Sequence, residues 1–538
     1  MDHLLQIEKG NPSEIEIQNE EMDRFSHLPE FIVHRILSSV QVPRVDLVRM
    51  SVLSKTWFHL TASFPVLEFN FLYFQSQRQS FFKYVEYTTS RFCRHNVTAH
   101  TFKLITTIEE PTELDIVNRC VELVLNKGVQ ELMIIVINPA DRLRLPDTLL
   151  SVSMLKSLII EGCELPSSLM ADVVRFKSLI QLELGNVPID DEEIKYLATS
   201  CPLLQEFHIH SCFGFKRFCI YGHQNLEKVV ISGENQAERI DIEAPNLSTL
   251  SVGDVYQRRA PLLNLASCKK LTTVTYFGNP LPNSYGFTGF LSNFPFIENL
   301  ILATKYKCNH LMWSSHSLRT LVLQSDCDLE EIEFNAPNLV LFIYTCDYII
   351  LWPSIMNEWW PRLRDSMHLK GCMQCYPGDI DTNWFQKLRR VLDKKNGFKV
   401  LNLYINAKYS QVFTELENLK AIELPPYELE HVELQLDVRE EQSAHIAFVD
   451  AVLWCCRPRS LTLRSFSRPN ACEKQSDVVK FTYKKLLEQE DECHTQIQIV
   501  CPSSSEAQKH FKSPSMALPR GGKTASFIKE EVLQEEAG

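Results

Sequence analysis

Glycine is scarce in this chain, and the motifs that enzymes most often use are missing. The 538 residues include 17 glycines, which leaves little material for the glycine-rich loops that hold phosphates. The sequence contains no GxxxxGKS/T loop, no GxSxG turn and no HExxH helix. We therefore expect a non-catalytic protein that works without a cofactor.

Long apolar runs and an excess of positive charge are also absent. The apolar run Leu132–Ile137 is far shorter than the ~20 residues that cross a bilayer, and no secretory signal precedes it. Lysine and arginine total 55 against 67 aspartates and glutamates, a formal charge of −12, which disfavours nonspecific binding to nucleic acid or to an anionic membrane. We expect a cytoplasmic or nuclear protein whose 17 cysteines, an odd number, are reduced and mostly buried.

Short helices are expected near the N-terminus. Apolar residues at helical spacing predict a helix from Leu28 to Val40, with Pro29 in its first turn. Two more short helices follow, one around Leu47 and one from Val52 through Trp57. Three helices in about 40 residues bury too little surface to be stable alone, so we expect a partner to supply the missing burial.

These helices resemble the F-box family, in particular its plant-type members. The resemblance rests on Leu28-Pro29, on Ile36-Leu37-Ser38 and on the run from Ser51 to Trp57. Thr56 and Thr61 depart from the family, which usually carries Arg at the first position and Trp near the second. The resemblance implies docking on the Skp-type adaptor, and through it on the cullin core, of an SCF ubiquitin ligase. The docking residues that it implies are Leu28, Pro29, Ile32, Ile36, Leu37, Leu47, Val52, Leu53 and Trp57.

A spaced motif then recurs along the chain: apolar, two residues, apolar, one residue, apolar. Ten copies begin between Val129 and Leu339, and their average step of about 23 residues lies within the period of leucine-rich repeats. The segment APNL at 244–247 returns at 336–339, four average steps later. We predict an α/β fold, in which a small three-helix F-box precedes a leucine-rich-repeat solenoid with mostly parallel strands and with helices or irregular segments on its convex side.

These patterns divide the chain into seven segments. The C-terminal part resembles the closing region of plant F-box repeat proteins through Asp450–Cys455, Pro458 and Leu461–Leu463. The last residues are rich in Ser, Lys, Glu and Pro, which favours disorder. The predicted segments are a flexible leader (1–21), the F-box (22–69), a linker with the start of the solenoid (70–128), leucine-rich repeats (129–345), irregular C-terminal repeats (346–470), a helix and strand extension (471–501) and a disordered tail (502–538).

The strand of each repeat points alternate side chains into the solenoid and out of it, and the outward side is the predicted target-binding face. The outward positions of the repeats include one lysine and no arginine, so we expect direct contacts with a target protein and no anionic cofactor. The candidate binding residues on this face are Glu183, Glu206, His208, His210, Lys228, Thr249, Thr273, Phe277, Thr320 and Gln324.

Two motifs contain residue types that bind metals. His208 and His210 project to the same side, with Cys212 nearby, but two histidines on a strand are more often ordinary surface. Cys372 and Cys375 form a CxxC without the second pair that zinc sites generally need. We therefore predict no metal site.

The predicted function is that of a substrate-recognition adaptor of an SCF-type E3 ubiquitin ligase. The F-box would bind the Skp-type adaptor, and the repeats would bind a target protein whose identity the sequence does not reveal. The alternative is a leucine-rich-repeat scaffold or binding protein outside any ligase, whose N-terminal helices only cap the solenoid. We expect neither nucleic acid nor membrane as a partner.

Overall fold

The computed structural model of the chain divides into two compact units, 1–141 and 142–538, which are described in turn. The predicted leader lies outside the described residues, and so does all of the predicted tail except 524–529. The structure describes residues 28–40, 44–74, 77–95, 98–137, 142–171, 176–234, 237–254, 261–278, 294–304, 311–325, 332–345, 371–376, 380–393, 397–404, 416–436, 442–465, 478, 481–482, 484–485, 496–501 and 524–529.

The first unit begins with three short helices around a small apolar core. The Ser54 side chain starts the third helix, because its hydroxyl accepts a hydrogen bond from the Trp57 backbone N–H at 3.1 Å. This cap leaves Val52 and Leu53 in the preceding turn, although the sequence analysis included them in the helix. The helices are α1 (Glu30–Ser39), α2 (Arg44–Ser51) and α3 (Lys55–Ala62), and the core is Val33, Leu37, Leu47, Trp57, Leu60 and Phe64.

Three parallel strands and two longer helices complete the first unit. The Arg78 guanidinium joins the helices, since it donates hydrogen bonds to both carboxylate oxygens of Glu113 at 3.0 and 2.6 Å. The strands pair side by side in chain order. The elements are β1 (Val66–Asn70), α4 (Arg78–Cys93), β2 (Thr101–Thr106), α5 (Pro111–Lys127) and β3 (Glu131–Val136).

The second unit is rich in short strands, and its described residues include three α-helices of ten or more residues. The helices are α6 (Asp191–Ser200), α7 (Thr382–Asp393) and α8 (Gln442–Cys455). The strands are β4 (Leu143–Arg144), β5 (Ser157–Glu161), β6 (Cys163–Glu164), β7 (Gln181–Gly185), β8 (Glu206–His210), β9 (Arg217–Ile220), β10 (Lys228–Ser232), β11 (Arg239–Ile242), β12 (Thr249–Gly253), β13 (Leu262–Asn264), β14 (Thr273–Phe277), β15 (Asn299–Thr304), β16 (Leu311–Ser314), β17 (Thr320–Ser325), β18 (Ile332–Asn335), β19 (Leu341–Thr345), β20 (Cys372–Tyr376), β21 (Val400–Tyr404), β22 (Tyr427–Leu436), β23 (Cys456–Ser465), β24 (Gln496–Cys501) and β25 (Thr524–Lys529).

One long parallel ladder organises the second unit. Its strands pair in the order β5, β7, β8, β10, β12, β14, β15, β17 and then β19 to β25. Shorter parallel ribbons join β4 to β6, β9 to β11 and β13, and β16 to β18. Each of the ten predicted repeats contributes one strand, from β3 in the first unit to β19 in the second. The predicted fold class, an α/β leucine-rich-repeat solenoid behind N-terminal helices, is confirmed.

The parallel strands of the first unit begin earlier than the sequence analysis proposed. β1 lies inside the segment 22–69, and β2 lies inside the segment 70–128. Phe64, Leu67 and Phe69 have the repeat spacing, and so do Ala99, Phe102 and Leu104, and all six side chains are buried. Phe64 and Ala99 fill the first position of the motif, which is leucine in most other copies. The sequence analysis therefore did not predict these two repeat units.

Burial in the ladder follows the alternation of side chains. Leu182, Leu184, Phe207 and Ile209 point inward and are fully buried. Eleven of the described cysteines are free thiols, and all of these except Cys93 are buried. Within the described residues, none of the helices combines the length and apolarity needed to cross a bilayer.

Candidate functional site

The helical module, defined as residues 28–64, exposes large apolar side chains on its surface. Val52 is 82% exposed and Leu53 is 69% exposed, both in the turn between α2 and α3. Contiguous apolar surface on a soluble domain commonly marks a site of protein interaction. The other large apolar side chains that the module exposes are Leu28, Phe31, Val40, Val48 and Phe58.

The nine docking residues implied by the F-box resemblance fall into two groups. Leu28, Pro29, Val52 and Leu53 are exposed, and Ile32 and Ile36 are half-buried. The other three, Leu37, Leu47 and Trp57, are 5%, 4% and 8% exposed and belong to the core of the module. These three side chains therefore hold the helices together and offer no free surface, whereas the six outer residues stay predicted docking contacts.

Sequence reasoning missed four exposed apolar residues of the module, Phe31, Val40, Val48 and Phe58. An apolar stripe at helical spacing locates one face of a helix, but it does not say whether that face turns inward or outward. The exposed position of Phe58 depends on how α3 packs, which the sequence does not show. In the structure the Arg91 guanidinium lies 3.7 Å from the centre of the Phe58 ring. That contact supports one side of the Phe58 ring from within the first unit.

The second candidate surface is the outward face of the ladder, and its two parts differ. On the strands β7, β8, β10, β12 and β14, here called the open segment, most outward side chains are partly exposed. On the strands β17, β19, β20 and β21, here called the closed segment, the outward side chains whose burial is described are buried, except the half-buried Tyr404 at the end of β21. The open segment carries eight of the predicted target-binding residues, namely Glu183, Glu206, His208, His210, Lys228, Thr249, Thr273 and Phe277.

The other two predicted target-binding residues lie in the closed segment. Thr320 is 1% exposed and Gln324 is 4% exposed, so the expectation that they form part of a free binding face was wrong. Both lie beside an apolar cluster of outward residues, because Val322 stands between them on β17 and Thr320 pairs with Leu341 on β19. That cluster consists of Ile301, Val322, Leu341, Ile343, Cys372 and Val400.

A charged network occupies the start of the open segment. His208 lies on β8 with Nδ1 3.5 Å from Glu183 Oε2 and Nε2 3.3 Å from Glu206 Oε2. His210 Nε2 lies 3.5 Å from Glu183 Oε1, and Lys228 Nζ lies 3.6 Å from Glu206 Oε2. Strand register brings the groups together, because Glu183 pairs with His208, and Glu206 pairs with Lys228.

The network shifts the pKa values of its members. Hydrogen bonds from His208 and His210 lower the pKa of Glu183 to about 2. Contact with His208 likewise lowers the pKa of Glu206. Burial opposes the charged form of His208, but Glu183 and Glu206 outweigh it, so the pKa of His208 is raised. The two glutamates therefore stay ionised at neutral pH and face basic groups.

The cysteines near His208 and His210 and in the CxxC motif do not come together with other possible metal ligands. Cys212 is fully buried and donates to the Leu184 carbonyl at 3.2 Å, so it does not join His208 and His210. Cys372 and Cys375 are three residues apart on β20, which places them on opposite faces of the strand. Glu183, His208 and His210 do come together, with one possible ligand atom from each within 4.8 Å of the others.

The fold and these two surfaces define a leucine-rich-repeat protein with an N-terminal helical module. Residues 117–285 match the family model described as "FBD-associated F-box protein At5g56370, LRR repeats". The match to F-box/LRR-repeat protein At5g02910 of Arabidopsis thaliana is 26% identical and covers 49% of this chain and 56% of the relative. F-box/LRR-repeat protein 25 of Arabidopsis thaliana is 25% identical over 46% of this chain and 92% of its own length.

A further relative, F-box/FBD/LRR-repeat protein At1g78750 of Arabidopsis thaliana, is 25% identical over 53% of this chain and 66% of its own length. The chain thus spans little more than half the length of several of the relatives that it matches. These comparisons confirm the resemblance to plant-type F-box/leucine-rich-repeat proteins that the N-terminal motif and the repeats indicated.

Proposed function

We propose that this chain is the substrate-recognition subunit of an SCF-type E3 ubiquitin ligase. In this role the helical module docks on the Skp-type adaptor, and thereby on the cullin core. The open segment of the outward face holds a target protein. The chain itself performs no chemistry, because holding the target near a ubiquitin-charged enzyme raises its effective concentration there. We expect the complex in the cytoplasm or the nucleus.

One observation carries this proposal, the exposed apolar surface of the helical module. Its core already contains Leu37, Leu47 and Trp57, so the module does not need the exposed residues for its own packing. Complete burial of a valine or leucine side chain contributes about 1.5–3 kcal/mol. Leu28, Phe31, Val52, Leu53 and Phe58 together therefore offer on the order of 10 kcal/mol before the entropic cost of association.

The open segment supports the second half of the proposal. Five neighbouring strands at a spacing of about 4.8 Å give a face roughly 20 Å wide. Glu183 and Glu206 lie at one end of this face, and Thr249, Thr273 and Phe277 continue it with neutral and apolar groups. Such a mixture suits direct contact with a protein, in which aromatic and hydrogen-bonding side chains alternate.

Co-purification with a Skp-type adaptor tests the docking surface. We expect the wild-type chain to retain the adaptor and a Val52→Ala/Leu53→Ala variant to bind it at least ~10-fold more weakly, because exposed anchors become buried at an interface. Leu72→Ala is the matched control, since Leu72 is 66% exposed in the same unit but lies outside the helical module. Its adaptor affinity should stay within about twofold of wild type, measured by calorimetry.

Two results would contradict the proposal. The first is a folded wild-type chain that does not retain the adaptor, which would favour the repeat scaffold outside any ligase. The second is an equal loss of affinity in the Leu72→Ala control. Leu37→Ala and Trp57→Ala are unsuitable probes, because both residues are core residues and their loss would unfold the module.

A further inference from the structure

The open segment brings together three side chains that commonly bind transition metals. Glu183 on β7 pairs with His208 on β8, and His210 follows two residues later on the same face. Gly185 on β7 pairs with His210, and the Glu161 side chain of β5 packs over Gly185, where an added Cβ would lie 2.9 Å from the Glu161 Cγ. His208 Nδ1 and His210 Nε2 each lie 3.5 Å from an oxygen of the Glu183 carboxylate.

These separations suit a tetrahedral ion. Zn²⁺ binds histidine nitrogen and carboxylate oxygen at about 2.0–2.2 Å, so two ligand atoms of a tetrahedral site lie roughly 3.3–3.5 Å apart. The two contacts to Glu183 have that length but reach different oxygens of the carboxylate, Oε2 from His208 and Oε1 from His210. One ligand atom from each of the three residues lies within 4.8 Å of the others, so the carboxylate would turn to present one oxygen to the ion. Small rotations of the imidazole rings would bring all three atoms to a common centre.

The remaining nitrogen of each imidazole faces a group that can orient the ring. His210 Nδ1 lies 2.5 Å from Ser232 Oγ in a hydrogen bond, whereas His208 Nε2 lies 3.3 Å from Glu206 Oε2 without hydrogen-bond geometry. Metal-binding histidines usually donate their second N–H to a carboxylate, a carbonyl or a water. Glu206 is a partner of that kind, and the Ser232 hydroxyl can take the same role. The Ser232 contact therefore holds the His210 ring with Nε2 towards Glu183, and a small rotation of the His208 ring would let Glu206 do the same for Nδ1.

We propose that Glu183, His208 and His210 bind a divalent transition-metal ion of the Zn²⁺ type, with the fourth coordination position open to the outward face. Two imidazoles and one carboxylate are a ligand set that Zn²⁺ accepts when one position is left for an exchangeable ligand. His208 is buried, whereas Glu183 and His210 are about 30% exposed, so an ion can enter from the side of the open segment. The proposal does not depend on adaptor docking and goes beyond it.

Zn²⁺ titration of the full chain against a chromophoric chelator tests this site. We expect the wild type to bind one additional tight Zn²⁺ ion compared with Glu183→Gln and with His210→Asn. In each variant the affinity for Zn²⁺ at that site should fall more than ~100-fold. Glu206→Gln should weaken binding by about 10-fold, because it removes only a partner of a ligand. His431→Asn is the matched control, since His431 Nδ1 contacts Ser460 Oγ at 3.1 Å on β22 and β23 as His210 contacts Ser232, but outside the triad.

A spectroscopic measurement separates metal coordination from a merely structural role. Co²⁺ bound to the wild type should give a visible spectrum distinct from that of aqueous Co²⁺, and Glu183→Gln should not. Metal-free Glu183→Gln should still unfold in one cooperative transition, at a lower temperature than the metal-free wild type because it loses the ion pairs with His208 and His210, and that transition shows that the variant is folded. Equal Zn²⁺ affinity and stoichiometry in wild type and Glu183→Gln, or no Co²⁺ spectrum in the wild type, would overturn the proposal. Adaptor retention is measured in the same variants and should be unchanged, so a failed metal site is distinguishable from a failed docking surface.

Discussion

The open and closed segments use the same repeat and bury the same inward face, but the closed segment buries its outward side chains as well. One row of outward positions, paired from strand to strand, shows the change. Its side chains are partly exposed in the open segment and at β15, and then 4% exposed or less from Thr320 onward. In order, the row reads Glu206, Lys228, Thr249, Thr273, Asn299, Thr320, Leu341, Cys372 and Val400.

The inward positions do not distinguish the two segments. Leu250 in the open segment and Leu321 in the closed segment are both fully buried. The repeat motif therefore explains why the strands stack, but it does not determine whether the outward face is exposed or buried. Polar outward residues leave a surface for a partner, whereas Leu341, Ile343 and Val400 add a second apolar layer to the ladder. Three pairs of substitutions sharpen this difference.

The largest effect is expected from Leu341→Ala. Leu341 is fully buried, so truncation should lower the free energy of unfolding by about 2–5 kcal/mol. Thr249→Ala, in the same row of the open segment, should change it by less than about 0.5 kcal/mol. Urea unfolding followed by circular dichroism measures both values. Similar losses in the two variants would mean that the open segment is covered as well.

A thiol probe tests burial directly at two matched positions. Thr249→Cys should react with a thiol reagent rapidly in the native protein, because Thr249 is partly exposed. Thr320→Cys should react at least ~10-fold more slowly, since the closed segment must open before the reagent reaches it. Peptide mass spectrometry distinguishes these thiols from the native cysteines. A Thr320→Cys variant that reacts as fast as Thr249→Cys would contradict the burial of the closed segment.

The smallest effect is a gain in stability from Thr320→Val. The Thr320 Oγ1 atom is buried without a hydrogen-bond partner among the described residues. Replacing the hydroxyl by a methyl group of similar size should therefore stabilise the chain by about 1 kcal/mol. Thr249→Val should have an effect within about 0.5 kcal/mol of zero, because its hydroxyl is accessible to water. A loss of stability in Thr320→Val would indicate an additional partner for the hydroxyl.

Much of the fold could be predicted from the sequence, because the repeat motif depends on local spacing. The ten copies between Val129 and Leu339 each gave a strand of the expected kind. The motif also fixed which side chains point inward, since alternation along a strand is a property of the backbone. The units at Phe64 and Ala99 were missed because any apolar residue can fill the interior position that leucine usually takes.

The candidate sites were less predictable, because they depend on contacts between distant segments. The sequence placed His208 and His210 on one side of a strand, but only the pairing of β7 with β8 brings Glu183 to both imidazoles. In the same way, an apolar stripe could not separate Trp57 in the core from Leu53 at the surface. The burial of Thr320 and Gln324 depends on what packs against the outward face of their strand, which no single repeat reveals.

The partial exposure of the open segment has a consequence for how such a chain diversifies. Thr249, Thr273 and Phe277 do not contribute to the stacked interior, so substitutions there should alter recognition at little cost in folding. A duplicated gene can thus acquire a new binding specificity through a few point changes on these strands. The closed segment lacks this freedom, because a change at Leu341 or Ile343 is first a change in stability, and its sequence should drift more slowly between descendants.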